Sequence, residues 1–385
     1  MTEGSKVKVL IVDDSAIARE MLERGLSLDP GIEVVGKAAD VFAARDKIVF
    51  LTPDVITLDV EMPKMDGIEF LKRLLPQYPI PVVIVSAVTA EGSRRALEAL
   101  DAGAVEVVAK PSGGDRNGLA AMIVSLREAV HEAARADMTK LRKASTNGRI
   151  IAKRVSRLPK TSNRYGTVPE LTTSSTASSA VRRSSFGSAT QNFDGIIAIG
   201  ASTGGTSALH RILPFLPEDL PPVLVVQHMP PVFTRMFAEA LDRECAASVK
   251  EAEEGDMLER GLILIAPGDF HMRLVKTKAG FMVRLDSSLK VSGHRPSVDV
   301  LFSSVAECAG ATSIGLLLTG MGRDGANGLL AMRKAGARCI AQDEASSVVF
   351  GMPKEAWDNG AAERLVPLEE TADELVTLCS QMARR

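Results

Sequence analysis

The chain has few of the residues that build disulfide scaffolds, metal clusters or membrane anchors. Its four cysteines, Cys245, Cys308, Cys339 and Cys379, stand far apart without a C-x-x-C pair. That argues against a disulfide framework and for reduced thiols in a cytoplasmic setting. The five histidines, His131, His210, His228, His271 and His294, show no metal-ligand spacing with the cysteines. No run of eighteen apolar residues occurs, so a membrane-spanning helix is not expected, and MTEGSKVKVLIVDD is a charged entry into a strand rather than a secretory leader. Helix-turn-helix, zinc-finger and aromatic-interleaved sheet motifs are also missing, which weakens a nucleic-acid role.

At 385 residues and 45% apolar composition, there is material for two cores rather than one. The net charge of −2 conceals an uneven distribution. Lys140 to Thr190 holds eleven Lys and Arg against the single acid Glu170, so this belt carries +10 and the remainder −12. Residues 161–190 contain fourteen Ser and Thr with no hydrophobic period. The stretch from about 145 to 190 therefore reads as a flexible linker, spanning about 40 Å root-mean-square. Basic tracts do bind phosphates by counterion release. Without a nucleic-acid motif, a solvated linker is the simpler reading, and a contact with anionic lipid or an acidic partner face stays open.

Before the linker, apolar runs at Lys6–Val12, Glu33–Gly36, Val55–Asp59, Pro81–Ser86 and Val105–Ala109 alternate with helical patterns. A last helix is expected from Gly118 to about Arg142. Regular βα alternation predicts an open parallel sheet whose ligand site lies at the C-terminal strand ends. Those ends carry Asp13, Asp14, Asp59, Ser86 and Lys110. Converging carboxylates repel one another unless a hard cation joins them, which implies Mg²⁺.

This set, with DVEMPKMDG from Asp59 to Gly67, resembles the receiver domain of bacterial response regulators over roughly residues 6–125. The resemblance implies that Asp59 accepts a phosphoryl group from a histidine kinase. It also implies that Asp13, Asp14, Asp59 and the backbone carbonyl of Glu61 hold Mg²⁺, that Lys110 contacts the phosphoryl oxygens and that Ser86 senses them. Val107 stands where many receivers place an aromatic switch residue.

Beyond the linker, Asp194–Gly205 (DGIIAIGASTGG) is a short apolar run ending on a glycine-framed serine, followed by the helical pattern TSALHRIL. Gly200-Ala201-Ser202-Thr203-Gly204 fits G-x-S-x-G, in which glycines let the chain turn sharply and expose a serine at a helix N-terminus. The same turn would suit a phosphate or be purely structural. Further strands are expected at Pro222–Gln227, Gly261–Ala266, Ser313–Thr319 and Arg338–Gln342. A hairpin turning through Lys278–Gly280 and helices at Pro296–Cys308 and Glu369–Met382 complete the pattern.

Three strand ends present Ser202, His228 and Asp324, separated by 26 and then 96 positions. In one parallel sheet they can meet. Acyl transfer needs that set, because an imidazole must accept the serine proton and a carboxylate must fix its tautomer. Capping of the following helix is the competing reading for Asp324.

The segments GASTGG, VVQHMP, HRPSVDVLF and LLLTGMGRDGANGL resemble, in order and spacing, the catalytic domain of chemotaxis response regulator protein-glutamate methylesterases, the CheB family. The resemblance implies Ser202 as nucleophile, His228 as base then acid, and Asp324 as its orienter. It implies hydrolysis of glutamate methyl esters on chemoreceptors, with deamidation of receptor glutamines, and no cofactor for that chemistry. Backbone N–H groups of Met321 and Thr203 are candidates for the oxyanion hole, while His294, Arg295 and Ser297 to Asp299 would shape the cleft.

The expected fold is α/β, with two doubly wound parallel sheets: a flavodoxin-like receiver at 1–125 and a Rossmann-like esterase at 191–385. A helical extension and basic linker at 126–190 would join them. A receiver with a non-catalytic nucleotide- or DNA-binding output is the main rival. It would need G-x-G-x-x-G with an acid closing a strand about twenty residues on, and neither Glu218 nor Asp219 does so.

Overall fold

A computed structural model describes residues 6–62, 67–87, 89–111, 116–140 and 195–383. The whole of the expected linker from about 145 to 190, and the PKMD part of the motif after Asp59, lie outside the described residues.

The first unit runs β1 (Val7–Val12), α1 (Ala16–Ser27), β2 (Ile32–Ala38), α2 (Val41–Leu51), β3 (Val55–Leu58), α3 (Gly67–Leu74), β4 (Val82–Ala87), α4 (Ala90–Asp101), β5 (Glu106–Lys110) and α5 (Arg116–Ala133). The strands pair in parallel in the order β2-β1-β3-β4-β5, the flavodoxin-type winding. Strand β3 is buried throughout and β1 at all but Lys8, as continuous apolar strands between two helical layers require. Helix α5 stops at Ala133, short of the expected Arg142; a turn and a short helical segment at 138–140 follow.

The second unit is β6 (Ile196–Ala201), α6 (Gly205–Ile212), β7 (Val223–Gln227), α7 (Phe233–Asp242), β8 (Ser248–Glu251), β9 (Leu262–Ile265), β10 (His271–Thr277), β11 (Gly280–Asp286), α8 (Val298–Cys308), β12 (Ser313–Leu317), α9 (Ala326–Lys334), β13 (Arg338–Gln342), α10 (Met352–Asp358), β14 (Arg364–Val366) and α11 (Thr371–Met382). Seven parallel strands lie in the order β14-β13-β12-β6-β7-β9-β8. The hairpin β10-β11 forms a separate antiparallel pair. Every residue of β6, β7 and β12 is buried, and each large aliphatic side chain so placed contributes about 1.5–3 kcal/mol relative to exposure.

The winding reverses at β6, which has β7 on one side and β12 on the other. A crevice opens at such a reversal, at the carboxyl ends of the strands. Ser202, His228 and Asp324 follow these three central strands. No helix among the described residues is long and apolar enough to cross a membrane.

Candidate active site

Ser202 leaves β6 held by its backbone. Its N–H donates to the Thr319 carbonyl at 3.0 Å, and its carbonyl accepts from Gly205 N–H at 2.7 Å and from the Gln227 amide at 3.0 Å. Gly204 makes the turn at φ +78°, where a Cβ would lie 2.7 Å from the Val348 side chain. The second glycine of the motif is thus required twice, by conformation and by space. Helix α6 begins at the next residue, so its positive end faces the serine.

His228 follows β7, its N–H bonded to the Ala201 carbonyl at 3.1 Å. Its Nδ1 lies 3.1 Å from Ser202 Oγ, and its Nε2 lies 2.8 Å from Asp324 Oδ2. The three groups separated in sequence are therefore within hydrogen-bond reach in one chain of contacts.

Asp324 is 1% exposed yet richly solvated by protein donors. Oδ1 accepts from Ser297 Oγ at 2.7 Å and Asp299 N–H at 3.2 Å, while Oδ2 accepts from Val298 N–H at 2.7 Å besides His228. Burial alone would raise this carboxyl. The His228 bond and charge, the Ser297 hydroxyl and the Val298 N–H outweigh that and hold it at about 2. The acid does cap a helix, but it is α8, which precedes it, rather than α9, whose cap is Gly325 at φ +88°. Capping and orienting are one arrangement here, because the α8 amides keep the acid ionised while it grips His228.

Because ionised Asp324 can only accept, Nε2 of His228 carries the proton. Nδ1 is then the lone pair presented to Ser202. That is the protonation pattern a general base needs.

The remaining candidates are placed as follows. The His294 ring stacks on His228, centroids 3.8 Å apart and planes 8° from parallel. The Arg295 guanidinium engages Asp269 at 2.6 Å and the carbonyls of Ser287 and Ser288 at 2.8 Å, with no triad atom among its partners. Among the described residues, the Thr203 and Met321 amides take part in no intramolecular hydrogen bond. Thr319, Gln342 and Gln227 buttress the turn from below: Thr319 Oγ1 donates to the Thr203 carbonyl at 3.0 Å, and Thr319 N–H donates to Gln342 Oε1 at 2.8 Å.

At the strand ends of the first sheet, carboxylate oxygens of Asp13, Asp14 and Asp59 lie within 4.8 Å of one another, the first and last buried and Asp14 exposed. Lys110 Nζ reaches Asp13 at 2.8 Å and Asp59 at 2.5 Å. Glu61 presents its N–H to Asp59 Oδ1 at 2.8 Å. Ser86 Oγ donates to the Gly92 carbonyl at 3.1 Å and so faces α4. Three hard oxygen donors converging on one point fit a small divalent cation such as Mg²⁺.

Contacts missed by the sequence reading join the two units. Thr203 Oγ1 donates to Glu132 Oε2 of α5 at 2.7 Å and lies 3.5 Å from Glu106 Oε2 of β5. Arg135 reaches the Met321 sulfur at 3.8 Å, Asp137 N–H the Val348 carbonyl at 3.0 Å, and Lys140 the Glu344 carbonyl at 2.7 Å. The C-terminal end of α5 and the turn after it therefore lie across the serine turn. Ser202 is left 4% exposed.

Two family models match this chain: CheB methylesterase over residues 197–375 and response regulator receiver domain over 9–123. A protein-glutamate methylesterase/protein-glutamine glutaminase of Syntrophotalea carbinolica is 48% identical, with 98% of each chain covered. The chain belongs to this family. A relative from Anaeromyxobacter dehalogenans, carrying the same name with the number 5, is 46% identical over 98% of both chains. The solved CheB methylesterase catalytic domain of Thermotoga maritima is 41% identical over 48% of this chain and 98% of its own, with a TM-score of 0.47. Along this chain the receiver-domain match precedes the methylesterase match.

Proposed function

We propose that the protein is a phosphorylation-regulated protein-glutamate methylesterase that also deamidates glutamines, acting on the cytoplasmic part of methylated chemoreceptors. The Ser202–His228–Asp324 contact chain, with Nδ1 facing the serine, is the observation that carries this reading. His228 takes the Ser202 proton as Oγ attacks the ester carbonyl, and Asp324 stabilises the imidazolium that forms. The free amides of Thr203 and Met321 are suited to receive the oxyanion. His228 then protonates the leaving oxygen, which departs as methanol. Water, deprotonated by His228, hydrolyses the acyl-enzyme to a glutamate carboxylate. With a glutamine substrate the same steps release ammonia.

The receiver unit, to about residue 125, would regulate the catalytic unit from 191 onward through the extension and linker at 126–190. Asp59 would accept the phosphoryl group from a histidine kinase, with Lys110 on its oxygens. Asp13, Asp14, Asp59 and the Glu61 carbonyl would hold Mg²⁺, which when bound offsets the repulsion between the anionic nucleophile and its anionic donor. A nearly inaccessible Ser202 beneath α5 favours inhibition by occlusion, and the tether keeps the two units at a local concentration near millimolar. Methanol release from a methylated receptor fragment tests this. The full chain should accelerate on phosphorylation, Asp59→Asn should abolish that response, and a fragment starting near Gln191 should outpace the unphosphorylated full chain. A fragment no faster than the full chain would end the occlusion model.

The occluding contact is expected to depend on pH. Thr203 has one hydroxyl proton and gives it to Glu132, so Glu106 beside the same oxygen sits at least cost as the neutral acid. Burial, and next the Glu132 charge, raise the Glu106 carboxyl from 4.5 to about 8. Glu132 is also raised by burial, with the Thr203 bond, His228 and Arg135 opposing and Glu128 adding. The docked state therefore keeps a proton that the undocked state releases. Closure is fully favoured below pH 4.5 and weakens as pH climbs to about 8, by about tenfold per unit for one proton, then levels off. Glu106→Gln stays neutral throughout. The ratio of unphosphorylated wild-type to E106Q activity should rise between about pH 6 and 8, and a flat ratio would remove the link.

A further inference from the structure

His294 differs from the other four histidines in how its ring is used. His131 bonds Asp29, His210 bonds Glu244, His271 joins the Leu289 carbonyl to Ser297 N–H, and His228 joins Ser202 to Asp324. Among the described residues the His294 ring takes part in no hydrogen bond, and what it does offer is its face, laid on His228 at 3.8 Å and 8°. The ring is half-buried, so its nitrogens can be left to solvent while its face is the part engaged by the protein.

The local backbone holds that face still. Val291 and His294 exchange two main-chain hydrogen bonds, at 3.1 Å and 2.9 Å, around Ser292 at φ +52° and Gly293 at φ +86°. Two consecutive left-handed residues make the tight turn that such reciprocal bonding requires. The next residue, Arg295, is anchored to Asp269 and to the Ser287 and Ser288 carbonyls. The ring thus projects from a braced turn.

We propose that His294 is a positioning residue whose flat, neutral ring holds the plane of His228, so that both His228 nitrogens stay on Ser202 and Asp324 while that ring gains and loses its proton. The His228 ring is free to turn about its Cβ–Cγ bond, and the contacts with Ser202 and Asp324 oppose that turn only at the ring's edge; a ring laid flat on its face opposes it as well. Two flat rings in contact at this distance gain dispersion over their whole faces, and a neutral ring lies against an imidazolium without the repulsion that a second charge would bring. The platform therefore still holds when His228 is the imidazolium. Neutrality is essential, since a second positive charge at this distance would oppose proton transfer. Burial and the neighbouring His228 keep the His294 ring neutral down to about 3, Lys290 adding to the effect and Asp324 opposing it.

This rests on the esterase reading above, and its test separates the two. Methanol release by the phosphorylated full-length chain is measured across pH for wild type, H294A and H294F. No release by the wild type would end the esterase reading itself. Given wild-type activity, H294A should lose about threefold to tenfold in kcat with KM unchanged, because the lost contact acts on the reacting geometry rather than on substrate binding. H294F, flat and unable to titrate, should recover most of kcat and keep the wild-type midpoint of the acidic limb. Wild-type kcat in H294A would overturn the proposal. So would an H294F as slow as H294A, which would assign the work to the ring nitrogens, or a change confined to KM, which would make His294 a substrate contact. If H294A melts below the assay temperature, H294L keeps the bulk without a flat face and should show the same loss.

Discussion

Ser202→Ala should lower methanol release by about 10⁴-fold or more, leaving only what substrate binding and the oxyanion donors provide. The fold should survive the change. The interactions that set the turn are made by the Ser202 backbone with Thr319, Gly205 and Gln227, and none uses the hydroxyl. The cost to stability is one lost hydrogen bond from Oγ to His228, about 1 kcal/mol. Phosphoryl uptake at Asp59 should be unchanged, since that site is built at the strand ends of the other sheet. An S202A variant that takes up phosphate normally and still releases methanol at a tenth of the wild-type rate would show that another group is the nucleophile.

Most of the architecture was legible because it is written in continuous apolar strands and glycine-bearing turns. Strands β1, β3 and β4 of the first sheet and the central strands of the second are fully or largely buried and stand out as aliphatic runs between helical patterns. Strands β8 and β14 were not read. They lie at the two edges of the second sheet, one as SVKE and the other only three residues long, and edge strands are kept short and charged to discourage further pairing. That Ser202, His228 and Asp324 can meet was legible because each of the three follows a strand, and a parallel sheet gathers such ends.

What escaped the sequence was contact between remote segments. Glu132 sits on an amphipathic helix where a charge reads as a solvated face, and Glu106 begins a strand. Nothing in either neighbourhood announces that Thr203 lies against both. The His294 stack has the same character, since no spacing rule brings two rings face to face across sixty-six residues. The rival reading of Asp324 as a helix cap was right in kind and wrong about the helix, because caps are ordinarily sought in the helix that follows.

Asp324→Asn carries the second large expected loss, about 10³- to 10⁴-fold, and the hydrogen-bond pattern explains why an isosteric change should be so costly. Both carboxylate oxygens accept from two donors, Ser297 and Asp299 on one side, Val298 and His228 on the other. An asparagine NH₂ has no lone pair for either set. Turned toward His228, it meets the Val298 N–H and forces Nε2 to accept, which moves the ring proton to Nδ1 and removes the base that Ser202 needs. Turned toward Ser297, whose hydroxyl can reverse, it leaves Asp299 N–H facing a donor. His228 then keeps its tautomer but loses the negative charge that stabilises the imidazolium. The two orientations are distinguishable by pH. In the second, the midpoint of the acidic limb should fall relative to wild type, because the protonated ring has lost its counter-charge. In the first, activity should stay low at every pH. Loss of less than about tenfold with an unmoved profile would mean that the charge on Asp324 serves the α8 terminus alone, and that His228 is oriented by something other than the acid beside it.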